Sequence, residues 1–513
     1  MKSLTLNQRQ KNITLAAVFT AAGVVYALIS LVNHYLFKTY ALDLGLYTHA
    51  MYDYAHFRID DCSMFLSKPQ SILSAHFDLY LLLLSPLTYL FGTYTLLIVQ
   101  IAAVLFGGWG IYKLISLYSD DDLIPFMATL VFFSTFGIIH ALSYDYHSNV
   151  VSAMMMPWML YYLKKGRLGL SSLFAVLLVI GKENLSLWLF FIALGLMWDY
   201  RKDRKSLWYL TGCALFAAVY FIVVNMLILP RLGARGIMRY EYLGSNYFEI
   251  AKTLITKPIE TLRILFINTS SFPHYDGIKA EFYICVLLTG MALTILKPNY
   301  LFMLIPLIAQ KMLSTDRLFW GISLQYTIEF MPVLVISSFL VIIKLKKVIW
   351  QEILAAVLLI STVLTTFYTI GIPKSYVKLD QICIYQKRHY EQKEFDVRYV
   401  RDLIKQIPKG ASVCASTMFV PHLCMRPEIY DYQSVASQID AEFVLVTEPH
   451  FNMPLDNKAP IHERDDYQIV STNGEVFLLK KKPLEKKTAF REHNDYEIIS
   501  TDEETLLLKK KQE

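Results

Sequence analysis

Twelve apolar runs, most of them separated by short polar turns, occupy the first 370 residues of this sequence. A helix needs about 20 apolar residues to cross a bilayer, and somewhat fewer where other protein surrounds it. The chain is 55% hydrophobic and only 18% charged, whereas soluble proteins are about one quarter charged. Soluble enzymes and disordered chains are therefore excluded, and a polytopic membrane protein is predicted. The runs lie at 13–37, 79–91, 94–116, 123–142, 149–163, 169–181, 185–199, 207–229, 281–297, 300–313, 325–343 and 348–370.

Positive charge indicates how the chain is oriented, because basic residues favour the cytoplasmic side of a membrane. Lys2, Arg9 and Lys11 precede the first run and predict a cytoplasmic N-terminus. That run is too long for a signal peptide and lacks a small-residue cleavage site, so it predicts an uncleaved anchor. The net charge of +6 is spread over short clusters beside apolar runs, which argues against a nucleic-acid partner. The other basic loops are at 164–167, 201–205 and 344–347.

The run at 79–91 decides how many helices cross the membrane. It is short, contains Pro86 and follows His76 and Asp78. If it lies in the outer interface instead of crossing, every short basic loop falls on the cytoplasmic side. The sequence then predicts about eleven transmembrane helices in the plasma membrane, with the C-terminus outside the cytoplasm.

Three domains are predicted from the change in composition along the chain. Residues 1–370 form the transmembrane domain, with external loops at 38–78 and 230–280. Residues 371–460 alternate strand and helix signals, which predicts a small extracytoplasmic α/β domain. Residues 461–513 form a duplicated tail that resembles two β-hairpins.

The tail duplication is visible directly in the sequence. Residues 466–472 recur 29 positions later at 495–501, and each copy ends in leucines followed by lysines. Asn473-Gly474 predicts a hairpin turn in the first copy, whereas the second copy has lost this signal. Two copies are too few for a solenoid, so we interpret the tail as a duplication without a chemical role.

Asp43 is the first functional candidate, because an ionisable residue at the end of a membrane helix is costly. It follows the first run directly, within the mostly apolar segment 40–47. A carboxylate there can act as a general base, with its pKa adjusted by partial burial. It can equally cap a short juxtamembrane helix. The spacing alone leaves both interpretations open.

His76 and Asp78 form a second candidate pair just before the run at 79–91. In an extended segment, residues two apart point to the same side. Such a pair can bind a divalent ion or a phosphate. The alternative is that the two residues only cap the helix that follows.

Two further charged turns are predicted on the outer side of the membrane. Asp145 and His147 lie between two apolar runs, and Lys182 and Glu183 interrupt a long apolar stretch. Adjacent opposite charges in such surroundings need a partner or a water-filled cavity. A substrate site and a purely structural ion pair both satisfy that requirement.

Three arginines follow at intervals of four residues in the second external loop. On a helix, Arg231, Arg235 and Arg239 would share one face. A basic face outside the membrane could hold a lipid-linked phosphate or diphosphate through bidentate guanidinium contacts. The alternative is an amphipathic helix that rests on anionic headgroups.

These segments occur in the order seen in a bacterial and archaeal family of predicted membrane proteins, named domain of unknown function 2079. The resemblance rests on Asp43-Leu44-Gly45-Leu46-Tyr47, His76-Phe77, Asp145-Tyr146-His147 and Lys182-Glu183-Asn184-Leu185, and it covers nearly the whole chain up to the tail. Tyr326 resembles the tyrosine of a His-Tyr motif in that family, although Gln325 stands where His is common. Tyr146 and Lys182 are milder departures, at positions that are commonly Phe and Arg.

The family itself is similar to the GT-C superfamily of integral-membrane glycosyltransferases, which use sugars linked to polyprenyl phosphate. The resemblance implies a mainly α, polytopic GT-C-like fold, with Asp43 as general base for an acceptor glycan, lipid or protein. It implies that Lys182 or the arginines stabilise the departing lipid phosphate, and that a divalent cation, if one is needed, binds near His76 and Asp145. The residues expected to bind substrate are His76, Asp78, Asp145, His147, Lys182, Glu183, Arg231, Arg235, Arg239 and Tyr326.

Two other functions remain open. A transporter or flippase of lipid-linked material would show internal symmetry between halves and broken helices near the midplane. Residues 1–370 contain no detectable repeat. A non-catalytic membrane scaffold would bind a partner through the C-terminal domain, and it leaves the charged turns at the membrane rim without a role.

Overall fold

The predicted apolar runs are helical in a computed structural model of the chain. The structure describes residues 5–59, 62–65, 71–233, 239–371, 377–435, 440–452, 460–483, 496–501 and 506–510. Most of the helices lie in the first 371 residues, and a small sheet with short helices follows near the C-terminus. The predicted fold class, a mainly α membrane protein with a small C-terminal sheet, is confirmed at this level.

Several helices are long and apolar enough to cross a bilayer. Five qualify singly within the described residues, and a sixth does if a pair bent by 45° counts as one span. Three shorter apolar helices add to these. A multi-pass membrane protein is therefore supported, while the count of about eleven stays a prediction. The five are Gln8–Tyr35, Tyr80–Ile115, Arg204–Arg231, Pro273–Thr294 and Val348–Gly371; the bent pair is Leu123–Phe133 with Phe136–Leu142; the shorter helices are Leu168–Val179, Leu185–Asp199 and Phe330–Ile342.

The remaining helices of this part of the chain are short. They connect the spans or lie at their ends, and two of them, between 247 and 264, have no buried residue. They are Leu46–Ala55, Ser148–Ala153, Met156–Lys164, Tyr247–Thr256, Pro258–Ile264, Pro298–Met303, Ile305–Met312 and Arg317–Trp320.

The run at 79–91 is not one continuous helix. It forms Tyr80–Leu84 and Thr88–Phe91, with a tighter turn through Pro86 between them. Gly92 then adopts φ 55°, a conformation that favours glycine, before the long helix begins at Thr95. Its interfacial position stays a prediction.

Glycines allow the central helices to approach closely. A Cβ added to Gly108 would lie 2.2 Å from the ring of Phe133, and one added to Gly107 would lie 2.5 Å from the Met154 sulfur. Small residues at helix contacts are typical of membrane bundles, where close van der Waals packing drives association. The Gly107-Gly108 pair is therefore a packing feature of the helix Thr95–Ile115.

The C-terminal domain is built on a five-stranded mixed sheet. Its strands are β1 (Val413–Ala415), β2 (Ile429–Asp431), β3 (Phe443–Thr447), β4 (Tyr467–Thr472) and β5 (Val476–Lys481). The order is β2-β1-β3-β5-β4, with β1 parallel to β2 and β3, and β5 antiparallel to its neighbours. The helices of this domain are Leu379–Ile382, Val397–Gln406, Val420–Leu423, Tyr432–Val435 and Glu448–Asn452.

The tail repeat is divided between two sheets. Its first copy supplies β4 and β5, so the sheet continues across the predicted boundary at residue 461. The second copy forms β6 (Tyr496–Thr501) and β7 (Leu506–Lys510), which pair only with each other among the described strands. Both copies shift register at the equivalent position, after Ile469 and after Ile498. The second copy is thus a hairpin too, although its turn signal is lost.

The C-terminal domain packs directly on the end of the first helix. Its core includes Phe37 and Ala41 together with Phe419 and Val420. The buried ammonium of Lys38 donates hydrogen bonds of 3.0 to 3.1 Å to three backbone carbonyls in the segment 380–389. These contacts bring the C-terminal domain against the segment that carries Asp43.

Candidate functional site

Asp43 lies in a strained turn between the first helix and Leu46–Ala55. Its backbone adopts φ 69° and ψ −87°, inside the irregular turn Ala41–Gly45. Residues other than glycine rarely adopt such a γ-turn conformation, and strain of this kind clusters at functional sites. The residue that caps Leu46–Ala55 is Gly45, and no side chain caps that helix. The alternative interpretation of Asp43 as a helix cap is therefore wrong.

Aromatic side chains surround the Asp43 carboxylate. The Tyr144 hydroxyl donates to Oδ2 at 3.3 Å, and His147 Nε2 lies 3.8 Å from the same oxygen. The rings of Tyr144 and His147 are stacked, with centroids 5.7 Å apart. The Asp43 side chain remains 20% exposed, so a ligand can reach it.

The His147 imidazole is neutral at physiological pH. Burial lowers its pKa to about 4, and the Asp43 carboxylate only partly opposes that shift. The contact between His147 and Asp43 is therefore a polar contact and not an ion pair. His147 thus lies beside the Asp43 carboxylate, and its predicted role in binding substrate stays a prediction.

Asp145 holds the Asp43 turn in place. Its buried carboxylate accepts a hydrogen bond of 3.2 Å from the backbone N–H of Tyr40, and the N–H of Leu44 also interacts with it. Burial and the nearby Asp43 raise the pKa of Asp145 well above its usual value. These contacts place Asp145 beneath the turn as a support, because it binds the backbone on both sides of Asp43.

His76 and Glu183 form the second cluster. His76 Nδ1 lies 3.2 Å from Glu183 Oε1, and the N–H of Phe77 donates to Oε2 at 3.3 Å. Burial raises the pKa of Glu183, but the His76 charge and hydrogen bond and the Lys182 charge outweigh it, so that the pKa falls to about 2. Glu183 is thus ionised and paired, and its predicted need for a partner is met by His76.

Asp78 has a structural contact. Its Oδ1 accepts a hydrogen bond of 2.9 Å from the N–H of Tyr80, at the start of the helix Tyr80–Leu84. The side chain is 1% exposed, and burial raises its pKa to about 7. The neighbouring Leu79 N–H binds the carbonyl of Ile180, which fixes this segment beside the turn that carries Lys182.

The two clusters meet at Tyr47, which faces the Asp43 carboxylate. Burial and the carboxylates of Asp43, Asp78 and Glu183 together raise the pKa of the Tyr47 phenol well above its usual value. Residues separated by more than one hundred positions therefore converge on one region.

A small cavity of about 40 Å³ opens beside this region. It contains two lysines, Lys182 and Lys311, and a buried carboxylate, Glu329, which accepts a hydrogen bond of 2.8 Å from Asn149. Tyr326 lines the cavity as well, and its ring stacks on Phe319 with centroids 4.1 Å apart. The lining residues are Asn149, Lys182, Asn184, Leu307, Gln310, Lys311, Phe319, Gln325, Tyr326, Glu329 and Phe330.

The predicted helical face of three arginines is wrong. The helix ends at Arg231, because the chain turns there and Gly233 adopts φ 85°. Arg239 lies in a separate turn, where its guanidinium is 4.7 Å from the centroid of Phe319 and 3.4 Å from Asp316. Arg235 lies outside the described residues. Arg239 alone of the two described arginines therefore contacts the cavity lining.

The described residues contain no cluster of three His, Cys, Asp or Glu side chains that could hold a metal ion. The two residues expected near a divalent cation have other partners, since His76 pairs with Glu183 and Asp145 binds backbone N–H groups. The contacts of these two residues thus do not support a shared cation site.

Several polar residues of the site were missed by sequence reasoning. Gln100 bridges two parts of the Asp145 turn, donating to the Asp145 carbonyl at 3.0 Å and accepting from the His147 N–H at 2.9 Å. Gln100 lies inside the apolar helix Thr95–Ile115, and Glu329 directly precedes the apolar helix Phe330–Ile342. A polar side chain within a span is a recognised signal of function, and it would have identified both residues.

Comparison with known proteins gives a family and a fold. A family model described as predicted membrane protein (DUF2079) matches residues 33–475. No curated protein matches the chain. Among solved structures, the chain is similar to ArnT from Cupriavidus metallidurans bound to undecaprenyl phosphate, with a TM-score of 0.52 and 8% sequence identity over 92% of this chain and 98% of that one.

The structural likeness supports the GT-C resemblance at the level of the fold, since the identity is too low to carry over more. The family predicted from the four motifs is confirmed. Because the family model matches residues 33–475, this chain belongs to the DUF2079 family of predicted membrane proteins.

Proposed function

We propose that this chain is an integral-membrane glycosyltransferase that uses a polyprenyl-phosphate-linked sugar at the outer leaflet, with Asp43 as general base. The observation that carries the proposal is the Asp43 carboxylate, held in a strained and partly exposed turn beside a cavity with two lysines. The fold shared with ArnT, whose structure is bound to undecaprenyl phosphate, supports the choice of a polyprenyl phosphate.

The reaction is a single displacement at the anomeric carbon. The acceptor hydroxyl attacks that carbon, and Asp43 takes the hydroxyl proton as the new C–O bond forms. The bond from the anomeric carbon to the phosphate oxygen breaks, and its electron pair stays on the lipid phosphate. The configuration of the sugar is therefore inverted.

Cationic side chains of the cavity stabilise the departing phosphate. Lys182 lines the cavity, and Arg239 stacks on Phe319 at its edge. Lys311 also lines it, but it is buried and donates to the carbonyl of Gly321, so Lys182 and Arg239 are the principal cations. Positive groups fixed where negative charge develops lower the barrier most in a site that excludes water. Leu307 and Phe330 add apolar side chains to the cavity lining.

Three aromatic neighbours and one carboxylate prepare Asp43 for its role. Tyr144, His147 and Tyr47 surround the carboxylate and limit its rotation. Asp145 holds the backbone of the turn from below. A general base must lie within hydrogen-bond reach of the proton that it removes, so a fixed turn favours catalysis.

The proposal includes an arrangement in the membrane. About eleven helices cross, the N-terminus is cytoplasmic, and the C-terminal domain lies outside the cytoplasm beside the Asp43 turn. The acceptor then enters from the external side as a hydroxyl of a glycan, a lipid or a protein.

Asp43→Asn tests the proposal directly. The substitution removes the base but keeps nearly the same volume, so the protein should fold and insert as before. Loss of a general base lowers the rate by about 10²–10⁴-fold. The assay measures transfer of sugar from a polyprenyl-phosphate pool in membranes that contain either variant, with thermal unfolding as the check on folding.

Asp402→Asn is the matched control, because Asp402 is exposed in the C-terminal domain and pairs only with Lys405. It should transfer at the unmodified rate. Equal transfer by the Asp43 and Asp402 variants would refute the role of Asp43 as a base. Movement of undecaprenyl phosphate across the membrane without any transfer would instead favour a flippase.

A further inference from the structure

Two short helices in the second external loop lie on the surface. Tyr247–Thr256 and Pro258–Ile264 have no buried residue, and we call them together the surface helix pair. Asn246 caps the first helix by accepting a hydrogen bond from the N–H of Glu249. The pair touches the preceding span through Tyr247, whose ring packs on Phe221 with centroids 5.5 Å apart, while several of its apolar side chains stay exposed.

Large apolar side chains form a stripe along the surface helix pair. Phe248 and Ile255 are each 78% exposed, and their spacing of seven residues places them on one face of the first helix. Ile259 and Leu262 are 81% and 58% exposed and share one face of the second helix. Exposed apolar faces of this kind mark an interaction site.

Basic residues border the stripe. Lys252 follows Phe248 by four positions, and Arg263 follows Ile259 by four, so each lies beside the apolar face. In the described part of the chain, neither of them lies within 4.0 Å of a carboxylate oxygen. Long basic side chains beside an apolar face reach outward to anionic headgroups while their stems stay in apolar surroundings.

Two spans with exposed apolar side chains flank the surface helix pair in sequence. The pair lies in sequence between Arg204–Arg231 and Pro273–Thr294, which are both candidate membrane helices. Each has exposed apolar side chains, among them Val219, Ile222 and Leu227 in the first and Ile284 and Leu288 in the second. The surface helix pair is therefore bounded on both sides by surface of the kind that lipid covers.

We infer that the surface helix pair binds an anionic lipid leaflet, with its apolar stripe at the level of the upper acyl chains and its basic residues among the headgroups. Apolar area and attraction to anionic lipid both favour this position. A second protein is the weaker choice, because an interface between proteins would not need bordering cations that match a headgroup layer.

The pair is fastened at both ends to the wall of the cavity. Before it, Tyr240 and Tyr242 donate hydrogen bonds of 2.7 and 2.8 Å to the carbonyls of Gln310 and Leu313. After it, Lys279 donates to the carbonyls of Ile264 and Met312. Gln310 lines the cavity, so lipid contact sets the height of the cavity opening relative to the leaflet. This consequence rests on the proposed function, whereas the lipid contact itself does not.

Site-directed spin labelling tests the inference. The six native cysteines are buried, so a label reacts at an introduced cysteine. Phe248→Cys and Ile259→Cys lie on the stripe, and Thr256→Cys and Glu260→Cys are the controls on the exposed polar side. The full-length protein is reconstituted in vesicles of phosphatidylethanolamine and phosphatidylglycerol. We expect labels on the stripe to be severalfold more accessible to oxygen than to a water-soluble nickel complex, with the reverse at the controls.

Anionic lipid is tested in the same samples. Replacing phosphatidylglycerol by phosphatidylcholine, or introducing Lys252→Gln with Arg263→Gln, should raise the nickel accessibility of the label at Phe248→Cys. Equal nickel accessibility on both faces would show that the pair stands in water and would overturn the inference. Shielding of the stripe from oxygen and nickel alike would show that protein covers it, which also overturns the inference. Neither readout uses sugar transfer, so a failure here is distinct from a failure of the proposed function.

Discussion

At the scale of single residues, the site is a set of carboxylates whose surroundings differ sharply. Asp43 is partly exposed and strained, Asp145 is buried against backbone N–H groups, and Glu183 is ionised beside His76. Burial raises the pKa of Asp145, while the His76 charge and hydrogen bond lower that of Glu183 against the effect of burial. The Asp43 side chain is 20% exposed and that of Glu183 16%, but Glu183 is paired with His76, so Asp43 is the carboxylate that we propose as the base.

The neutral state of His147 predicts a pH dependence of stability. Its pKa is about 4 in the folded protein and 6.5 in an unperturbed histidine. Between these two pH values the unfolded chain therefore binds a proton at this residue and the folded protein does not. The stability contributed by the neutral ring is therefore complete above pH 6.5 and is lost as the pH falls toward about 4, by about 3 kcal/mol at most. Burial raises the pKa of Asp78 to about 7, so the folded protein binds a proton there more readily than the unfolded chain. Asp78 therefore makes the folded state more stable as the pH falls, opposite to His147.

A difference measurement isolates His147 from Asp78. Thermal unfolding of the unmodified protein and of His147→Gln is followed in detergent at about pH 7 and about pH 5, a range in which the histidine term changes. We expect acidification to destabilise the unmodified protein more than the variant. Parallel shifts in both proteins would mean that His147 titrates normally in the folded state.

At the scale of helices and strands, the sequence predicted most of what forms locally. Most of each apolar run is helical, because a helix pairs its backbone groups internally, as the interior of a bilayer requires. The parallel pairing of β1 with β2 and β3, and the bend of 45° in Leu123–Leu142, depend on contacts between distant residues. Periodicity does not carry that information.

The candidate site was predictable only in part for the same reason. Asp43, Asp145, His76 and Glu183 stood out because they are charged residues at the ends of apolar runs. Tyr144 and Tyr47 did not, because aromatic residues are common at such positions and only their contacts with Asp43 distinguish them. The three arginines were assigned one helical face from spacing, whereas Gly233 ends that helix.

Close helix packing at Gly108 gives a prediction at the same scale. Gly108→Ala would place a Cβ 2.2 Å from the Phe133 ring, so the helices must separate, at a cost of about 1–3 kcal/mol. Gly212→Ala is the matched control, because its Cβ would meet nothing within 4 Å. We expect a lower unfolding temperature in detergent for the first variant only, with partial recovery when Phe133→Leu is added. Equal unfolding temperatures for both glycine variants would argue against the close contact.

At the scale of the whole molecule, the C-terminal domain and the Asp43 turn behave as one unit. Lys38 binds three carbonyls of the segment 380–389, and Ala41 belongs to the core of the C-terminal domain. The domain must therefore lie on the same side of the membrane as Asp43, whichever side that is. A measurement of the side of the membrane on which the C-terminus lies therefore also shows on which side Asp43 lies.

Reporter fusions measure that topology. A reporter that is active only in the cytoplasm should work when it is fused after Arg167 or Lys205, since both follow basic loops. The same reporter should be silent when fused after Gly371, where the last helix ends. Activity at Gly371 would place the C-terminal domain, and Asp43 with it, in the cytoplasm.

The two copies of the tail repeat have the same residue types at the positions that are buried in the first copy. In the first copy, Tyr467, Leu478 and Leu479 are buried, with the two leucines on opposite faces of the sheet, and the residues 29 positions later are Tyr496, Leu507 and Leu508. The later copy therefore has the same residue types at the positions that are buried in the first. Excision of residues 466–494 would join residue 465 to residue 495, where the second copy begins. We expect the shortened protein to keep its unfolding temperature. The second copy could then replace the first in the sheet. The first copy is therefore free to accumulate substitutions that would unfold a protein with a single copy.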